Sequence, residues 1–311
     1  MRKTKRSRKK KRGGKSTTLK KLNCSPKSEI TEIKDYSCYT KDSIMKLRDK
    51  WNTRHPDTKI LSTNPEEIHK ELRNYLINVC NTEACWLKQT IHFGDPDEEM
   101  KGSFAPKSPD EWKKNPNEWL SSLDISKVMK QYEKAYPCFM FIGPTPIDFD
   151  KVVSHGECVW DELCKLNIEK ILRSGKNKIG IVFNTDTHDK SGEHWISMFI
   201  KIPKKWKTST KQINANILFF DSVGSTAPKE VKILVNRIIA QGNRMKPKIN
   251  FIYDENHPIE HQYGNTECGV YSLFFIVEML KDKITGDYLK THILKDNYIH
   301  TFRKKFYNSE I

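Results

Sequence analysis

The sequence predicts an α+β fold, a central mixed sheet flanked by helices, preceded by a helical N-terminal module. Three observations carry this expectation. Between residues 136 and 281 the apolar runs KIGIVFN, HWISMFIKI, ILFFDSVG and INFIYD alternate with helical patterns such as PKEVKILVNRIIAQG. Turn-forming stretches, THDKSGE, KKWKTST and HPIEHQYGN, separate them. The last strong helix opens at Cys268 and runs on as GVYSLFFIVEML, so apolar that it must be buried, and a sheet is the economical surface to bury it against.

Taken in order, the chain begins with MRKTKRSRKKKRGGKSTTLKKL, residues 1–22, which hold 12 Lys or Arg and no acid. The formal charge of +16 is therefore mostly a tail, since the remainder carries 43 basic against 39 acidic residues. Like charge without an apolar period cannot bury surface, so residues 1–22 are expected to be a disordered arm. Such an arm suits nucleic acid or another anionic surface, or serves as a nuclear import signal. It contains Gly13-Gly14, a potential cleavage point.

Residues 23–115 are expected to form a helical module and a linker. Ile44, Leu47 and Trp51 recur at helical spacing, and Asn64-Pro65 with Glu66 and Glu67 opens a second helix whose apolar face is Ile68, Leu72, Leu76 and Val79. The stretch GDPDEEMKGSFAPKSPDEWKKNPNEW, rich in Pro, Gly, Asp and Lys, reads as a connection. The main domain is then residues 116–311. Its expected elements are a helix in NEWLSSLDISKVMKQYEK, a strand in PCFMFIG stopped by Gly143-Pro144, a helix over about 158–173, and the alternating pattern already described.

Eight cysteines fall at 24, 38, 80, 85, 138, 158, 164 and 268. They show no CxxC pair and no compact framework, so free thiols in a reducing compartment are expected. Cys80 and Cys85 have metal-like spacing, but no second pair follows, and zinc is not expected. No metal or organic cofactor is implied. The longest apolar run is about a dozen residues, well short of the roughly 20 that span a bilayer, and the N-terminus has no secretory apolar region.

The chemistry centres on Cys268, at the junction between the polar loop QYGNTE and the apolar helix. The free N–H groups and dipole of a first helical turn favour an anion, and the thiolate is the nucleophilic form of cysteine. A thiol nucleophile needs a base, and His194, where a Gly-containing loop becomes a strand, is the candidate. Asp221 ends the next strand and is placed to accept Nδ1–H of that imidazole, leaving Nε2 for the thiol. Gln262, six residues before Cys268, is the candidate side-chain donor of an oxyanion hole, with the Cys268 N–H as the second. Trp195 is expected to shield the site and narrow the cleft. Gly269 is expected to leave room beside the sulfur for a substrate backbone. His261 is a rival base, disfavoured because its side chain and that of Gln262 would point apart.

The joint pattern, His-Trp on a strand, Asp after the following strand, then Q-x5-C-G at a loop-to-helix junction, resembles the ubiquitin-like-protein protease and adenain clan of cysteine peptidases. NTDTHDKSGEHWISMFI, FFDSVGS and HQYGNTECGVYSLFFI look most like the polyprotein-processing proteases of African swine fever virus and other large DNA viruses. Glu267 departs from many SUMO proteases, where an Asp precedes the cysteine. The resemblance implies a cysteine endopeptidase that cuts after Gly-Gly in viral structural precursors, made in the host cytoplasm and packaged in the virion. Two alternatives stay open: a deconjugase of ubiquitin- or SUMO-like modifiers, and a catalytically inert nucleic-acid-binding core protein.

Overall fold

The computed structural model describes residues 18–30, 36–90 and 98–309. Most of the basic arm, including Gly13-Gly14, lies outside them. The chain divides into two compact units, Met1–Leu22 with Tyr39–Lys101, and Asn23–Cys38 with Gly102–Ile311. This division differs from the expected boundary at 115/116. The reason lies in Asn308, whose side-chain amide donates to the carbonyls of Asn23 and Ala105, each at 3.0 Å, while Ser108 N–H donates to its carbonyl at 2.8 Å. These bonds attach residues 23 and 105–108 to the C-terminal end of the chain.

In the first unit, helices Lys41–Arg54 and Pro65–Leu76 start where expected. The Thr40 hydroxyl caps Ser43 N–H, and the Asn64 side chain caps Glu66 N–H with Pro65 in the first turn. Ile44, Leu47, Trp51, Ile68, Leu72 and Leu76 are buried. The second helix stops at Leu76, and Val79 is exposed rather than part of its apolar face.

Among its described residues the second unit holds seven strands: β1 (Phe139–Pro146), β2 (Val152–Ser154), β3 (Glu157–Cys158), β4 (Lys178–Asn184), β5 (Trp195–Lys201), β6 (Ile213–Phe220) and β7 (Ile249–Glu255). β2 and β3 form a small separate ribbon, and the other five build the main sheet. Its spatial order is β1-β4-β5-β6-β7, with β1/β4 and β6/β7 parallel and β4/β5 and β5/β6 antiparallel. Alternation along the strands feeds two cores. Ile196, Met198 and Ile200 of β5 join the side covered by helix Lys229–Arg244, and Phe199 joins the side covered by helices Ser122–Ala135 and Cys268–Leu280.

Helix Cys268–Leu280 has twelve of its thirteen residues buried, which is why its sequence shows no polar face. It comes close to the sheet because β4 carries Gly180, where a Cβ would lie 2.8 Å from Ile276 Cγ2. The expected helix over 158–173 is interrupted. It divides into β3, helix Asp161–Cys164 and helix Ile168–Arg173, because the Asn167 side chain accepts Lys170 N–H and starts a new N-terminus.

Six cysteines are paired, Cys24–Cys38, Cys80–Cys85 and Cys158–Cys164, so the expectation of free thiols throughout is corrected. Pairing follows Cα separations of 5.0, 5.5 and 6.3 Å, which local turns create and spacing alone does not reveal. Cys138, half-buried, and Cys268, buried, are the two free thiols. No helix among the described residues is long and apolar enough to cross a membrane.

Candidate active site

Each catalytic candidate stands where a regular element ends. His194 precedes β5, and its carbonyl accepts Thr185 N–H at 2.9 Å, which fixes the backbone at the rim. Asp221 follows β6. Since β5 and β6 are antiparallel, with Ser197 opposite Phe220, the start of one and the finish of the other share an edge of the sheet. Helix Cys268–Leu280 packs beneath that region, and the Ser272 hydroxyl reaches the Trp195 carbonyl at 3.4 Å.

The three side chains meet. His194 Nε2 lies 2.7 Å from Asp221 Oδ1, and the ring is close enough to the Cys268 side chain to interact with it, Nδ1 being the nitrogen left for the sulfur. The expected assignment, acid on Nδ1 and thiol on Nε2, is therefore reversed. Sequence order places residues on elements but says nothing of which way an imidazole turns. Burial opposes a charged ring, yet its interactions with Asp221 and Cys268 outweigh it and hold His194 up at about 10. His194 is thus a cation through the neutral range, the form that steadies a thiolate at Cys268.

Asp221 is held in turn by Asn256, a fully buried residue that sequence reasoning misses because an Asn after a strand reads as a turn former. Asn256 Oδ1 accepts Asp221 N–H at 2.9 Å, and its amide donates to the carbonyls of Asp221 at 2.8 Å and Ile259 at 2.9 Å. This clamp ties the Asp221 turn to the loop leading to Cys268. Gln262 on that loop is buried. Its Oε1 accepts from the Ser222 hydroxyl and its Nε2 donates to the Gly264 carbonyl, both at 2.8 Å. One of its two amide hydrogens is therefore engaged within the loop, and its side chain is anchored beside Asp221. His261 is no base here: its Nδ1 accepts Leu294 N–H at 3.1 Å, and burial holds it down at about 4, a neutral ring against Phe220.

The N-terminus of the nucleophile helix has an unusual support. Glu267 occupies the cap position but makes no capping bond to the first turn. Its buried carboxylate instead takes Arg303 Nε at 2.8 Å and His300 Nδ1 at 3.1 Å. Arg303, 2 % exposed, also donates to the carbonyls of Thr266 at 2.9 Å and Glu118 at 2.6 Å and lies over the Trp112 ring. One guanidinium so neutralises the carboxylate that precedes Cys268 in the chain and joins the Cys268 loop to residue 118. Nothing in the linear order could have linked position 303 to 267. Arg303→Met leaves Glu267 buried without its main counter-charge and is expected to destabilise the fold by about 3–5 kcal/mol. Thermal melting checks this, with Glu267→Gln added to Arg303→Met recovering most of the loss.

Residue 118 leads directly into a groove of about 540 Å³ whose lining includes Trp119, Leu120, Pro144, Trp160, Glu193 and Trp195. Trp195 lines this groove and also packs against Gly269, so the groove reaches the first turn of the Cys268 helix. The Trp195 indole is locked by its N–H to the Leu120 carbonyl at 2.9 Å. Gly269 does not leave open space as expected. A Cβ there would lie 3.0 Å from Leu120 Cβ and 3.2 Å from Trp195 Cδ1, so the missing side chain lets these two groups pack onto the helix. Gly269→Ala is expected to push Trp195 and Leu120 aside and lower kcat/KM several-fold, while changing stability by less than about 1 kcal/mol because the helix gains from the alanine. Steady-state kinetics and melting together test this.

Known proteins resemble this chain over the same region. The model of the Ulp1 protease family, C-terminal catalytic domain, matches residues 175–311, which include His194, Asp221, Gln262 and Cys268. Residues 175–311 are a Ulp1-family cysteine peptidase domain. A protein named as a thiol protease, R355, of Acanthamoeba polyphaga mimivirus is 26% identical over 88% of this chain and 90% of its own. A cysteine protease of African swine fever virus (isolate Tick/Malawi/Lil 20-1/1983) is 23% identical over 76% of this chain and 88% of its own. The crystal structure of an African swine fever virus protease superposes with a TM-score of 0.60 at 19% identity, covering 94% of this chain and 97% of that one, and so shares its fold. The chain is a SUMO-protease-like cysteine peptidase, and the inert alternative is set aside.

Proposed function

We propose that this peptidase is an endopeptidase that cleaves after Gly-Gly in viral structural precursors during particle maturation. The observation that carries the reading is the immobilised Trp195 indole, packed on Gly269, the residue after Cys268, and lining the adjoining groove. A fixed aromatic wall beside the sulfur favours substrate residues without side chains. In the proposed cycle Cys268 attacks the carbonyl before the scissile bond as a thiolate, and His194, carrying the proton on Nδ1, hands it to the leaving amine. The Cys268 N–H and Gln262 hold the oxyanion that the attack forms, its collapse expels the protonated amine and leaves the acyl-thioester, and water then hydrolyses that thioester. The viral source of the relatives supports a site of action in the host cytoplasm, where particles assemble, and then inside the virion.

A second reading, removal of a ubiquitin- or SUMO-like modifier, uses the same atoms. It is favoured by the name of one relative, a SUMO-1 cysteine protease from African swine fever virus isolate Warthog/Namibia/Wart80/1980. A panel of Gly-Gly-X peptides, Ala-Ala-X controls and modifier-fluorophore conjugates separates the two. Turnover of Gly-Gly-X peptides at rates equal to or above those of the conjugates is expected. Turnover confined to the conjugates would replace precursor processing by deconjugation, and equal cleavage after Ala-Ala would sink the glycine preference.

A further inference from the structure

We infer that the end of the sheet opposite the active site is a second, polyanion-binding site that holds the sugar-phosphate backbone of nucleic acid. Where β5 finishes and β6 and β7 begin, the chain runs KIPKKWKTSTKQINAN (201–216) and IAQGNRMKPKIN (239–250), eight basic residues and no acid. Pairing brings the two segments together: Ile213 lies opposite Ile249, and Ile213 N–H donates to the Lys248 carbonyl at 3.0 Å. Lys204, Lys205, Lys207 and Lys211 from one, with Arg244, Lys246 and Lys248 from the other, are all exposed. Among the described residues none of these seven is in an ion pair, whereas Lys201 is bound to Asp282 at 2.7 Å.

The concentration is not a by-product of overall charge. Residues 23–311 carry 43 basic and 39 acidic side chains, so setting these eight aside leaves 35 basic against 39 acidic. The excess of positive charge outside residues 1–22 is thus concentrated in these two segments at one end of the sheet, which attracts polyanions. The residues between the cations select among them. Exposed Thr208, Thr210, Gln212, Asn214 and Asn243 are hydrogen-bonding groups suited to phosphate and sugar, whereas a bilayer surface would call for exposed aliphatic side chains among the lysines. Contacts of this kind position a duplex without reading its sequence. The site is separated from His194 by the length of β5, seven residues or about 20 Å, so bound nucleic acid leaves Cys268 open to protein substrates.

The test uses the full-length chain with the twelve Lys and Arg of residues 1–22 changed to Gln, which removes the arm's own charge. Anisotropy with a fluorescein-labelled DNA duplex is expected to show binding that weakens steeply between about 50 and 200 mM salt. Adding Lys204→Gln, Lys205→Gln, Lys207→Gln, Lys211→Gln, Arg244→Gln, Lys246→Gln and Lys248→Gln should lower affinity at least about tenfold and reduce the log-log salt slope by about 0.9 for each phosphate no longer neutralised. Turnover of a short peptide should not change and serves as the check on folding. Absence of duplex binding by the arm-neutral chain, or the same affinity and slope after the second set, would overturn the site. Lysine acetylation of the unaltered chain gives the answer independently of folding: duplex should protect Lys204, Lys205, Lys207, Lys246 and Lys248, and unprotected lysines there reject the proposal. Binding to phosphatidylserine vesicles in place of the duplex would reject nucleic acid as the occupant.

Discussion

Cys268→Ala is expected to lose at least about 10⁴ of kcat/KM, since removing the nucleophile of a catalytic unit costs about as much as removing the whole unit. The structure should survive. Cys268 is 3 % exposed, and deleting one sulfur from a helix N-terminus gives up about 1 kcal/mol of packing, little beside the rest of a helix with twelve buried residues. Two measurements go together: turnover of a Gly-Gly-X peptide, and thermal melting within a few degrees of the parent. A Gly-Gly vinyl sulfone sharpens the test, because the only other free thiol among the described residues, Cys138, lies at the start of β1, next to Lys178 at the far edge of the sheet from His194. Labelling is expected at Cys268 and not at Cys138. Retained turnover in Cys268→Ala, or label on Cys138, would remove Cys268 from its role.

Asp221→Ala is expected to lower kcat/KM by about 10²–10⁴, the range over which a misdirected acid-base group loses its contribution. Asp221→Asn separates orientation from charge. An Asn oxygen can still accept Nε2–H, so much of the rate at neutral pH should return, but the negative charge that helps hold His194 at about 10 is gone. The sign follows from which form is active. The imidazolium partnered with a thiolate is the working state, so the parent should keep its activity as pH rises until His194 deprotonates near pH 10, and Asp221→Asn should lose activity at lower pH than the parent. The same shift bears on folding. A histidine raised in the folded state stabilises fully below its unfolded value of about 6.5, and that contribution fades as pH climbs through about 10. A pH profile of kcat/KM for parent and variant decides the point, read as the behaviour of the coupled His194–Cys268 pair. An unmoved alkaline limb in Asp221→Asn would show that the carboxylate does not set the charge on His194.

Parts of this are legible in the sequence for specific physical reasons. Helix Cys268–Leu280 declares itself because a helix covered on all sides has no polar face to disguise it. Thr40, Asn64 and Ser121 stand at helix starts because capping is a local bond between neighbours in the chain, as when Ser121 and Asp124 exchange hydrogen bonds. His194, Asp221 and Cys268 are readable as a set because strand ends and helix starts are where a sheet presents side chains to a cleft. Gly269 stands out in the sequence, but for the wrong neighbour, since the groups that demand the missing side chain, Leu120 and Trp195, lie about 150 and 74 residues away in the chain.

Taken alone, the order of residues determined the class of fold and the elements of the main sheet, because periodicity, capping and turn chemistry act over a few neighbouring positions, and it singled out Cys268, His194 and Asp221 as candidates through their joint pattern and the family it resembles. Only the folded structure decided which imidazole nitrogen faces the sulfur, that Arg303 neutralises Glu267, that Asn256 clamps Asp221, that six cysteines pair, and that two basic segments meet at one pole. Those outcomes depend on distances between groups far apart along the chain, and such distances exist only once the sheet and its helices have closed around a common core.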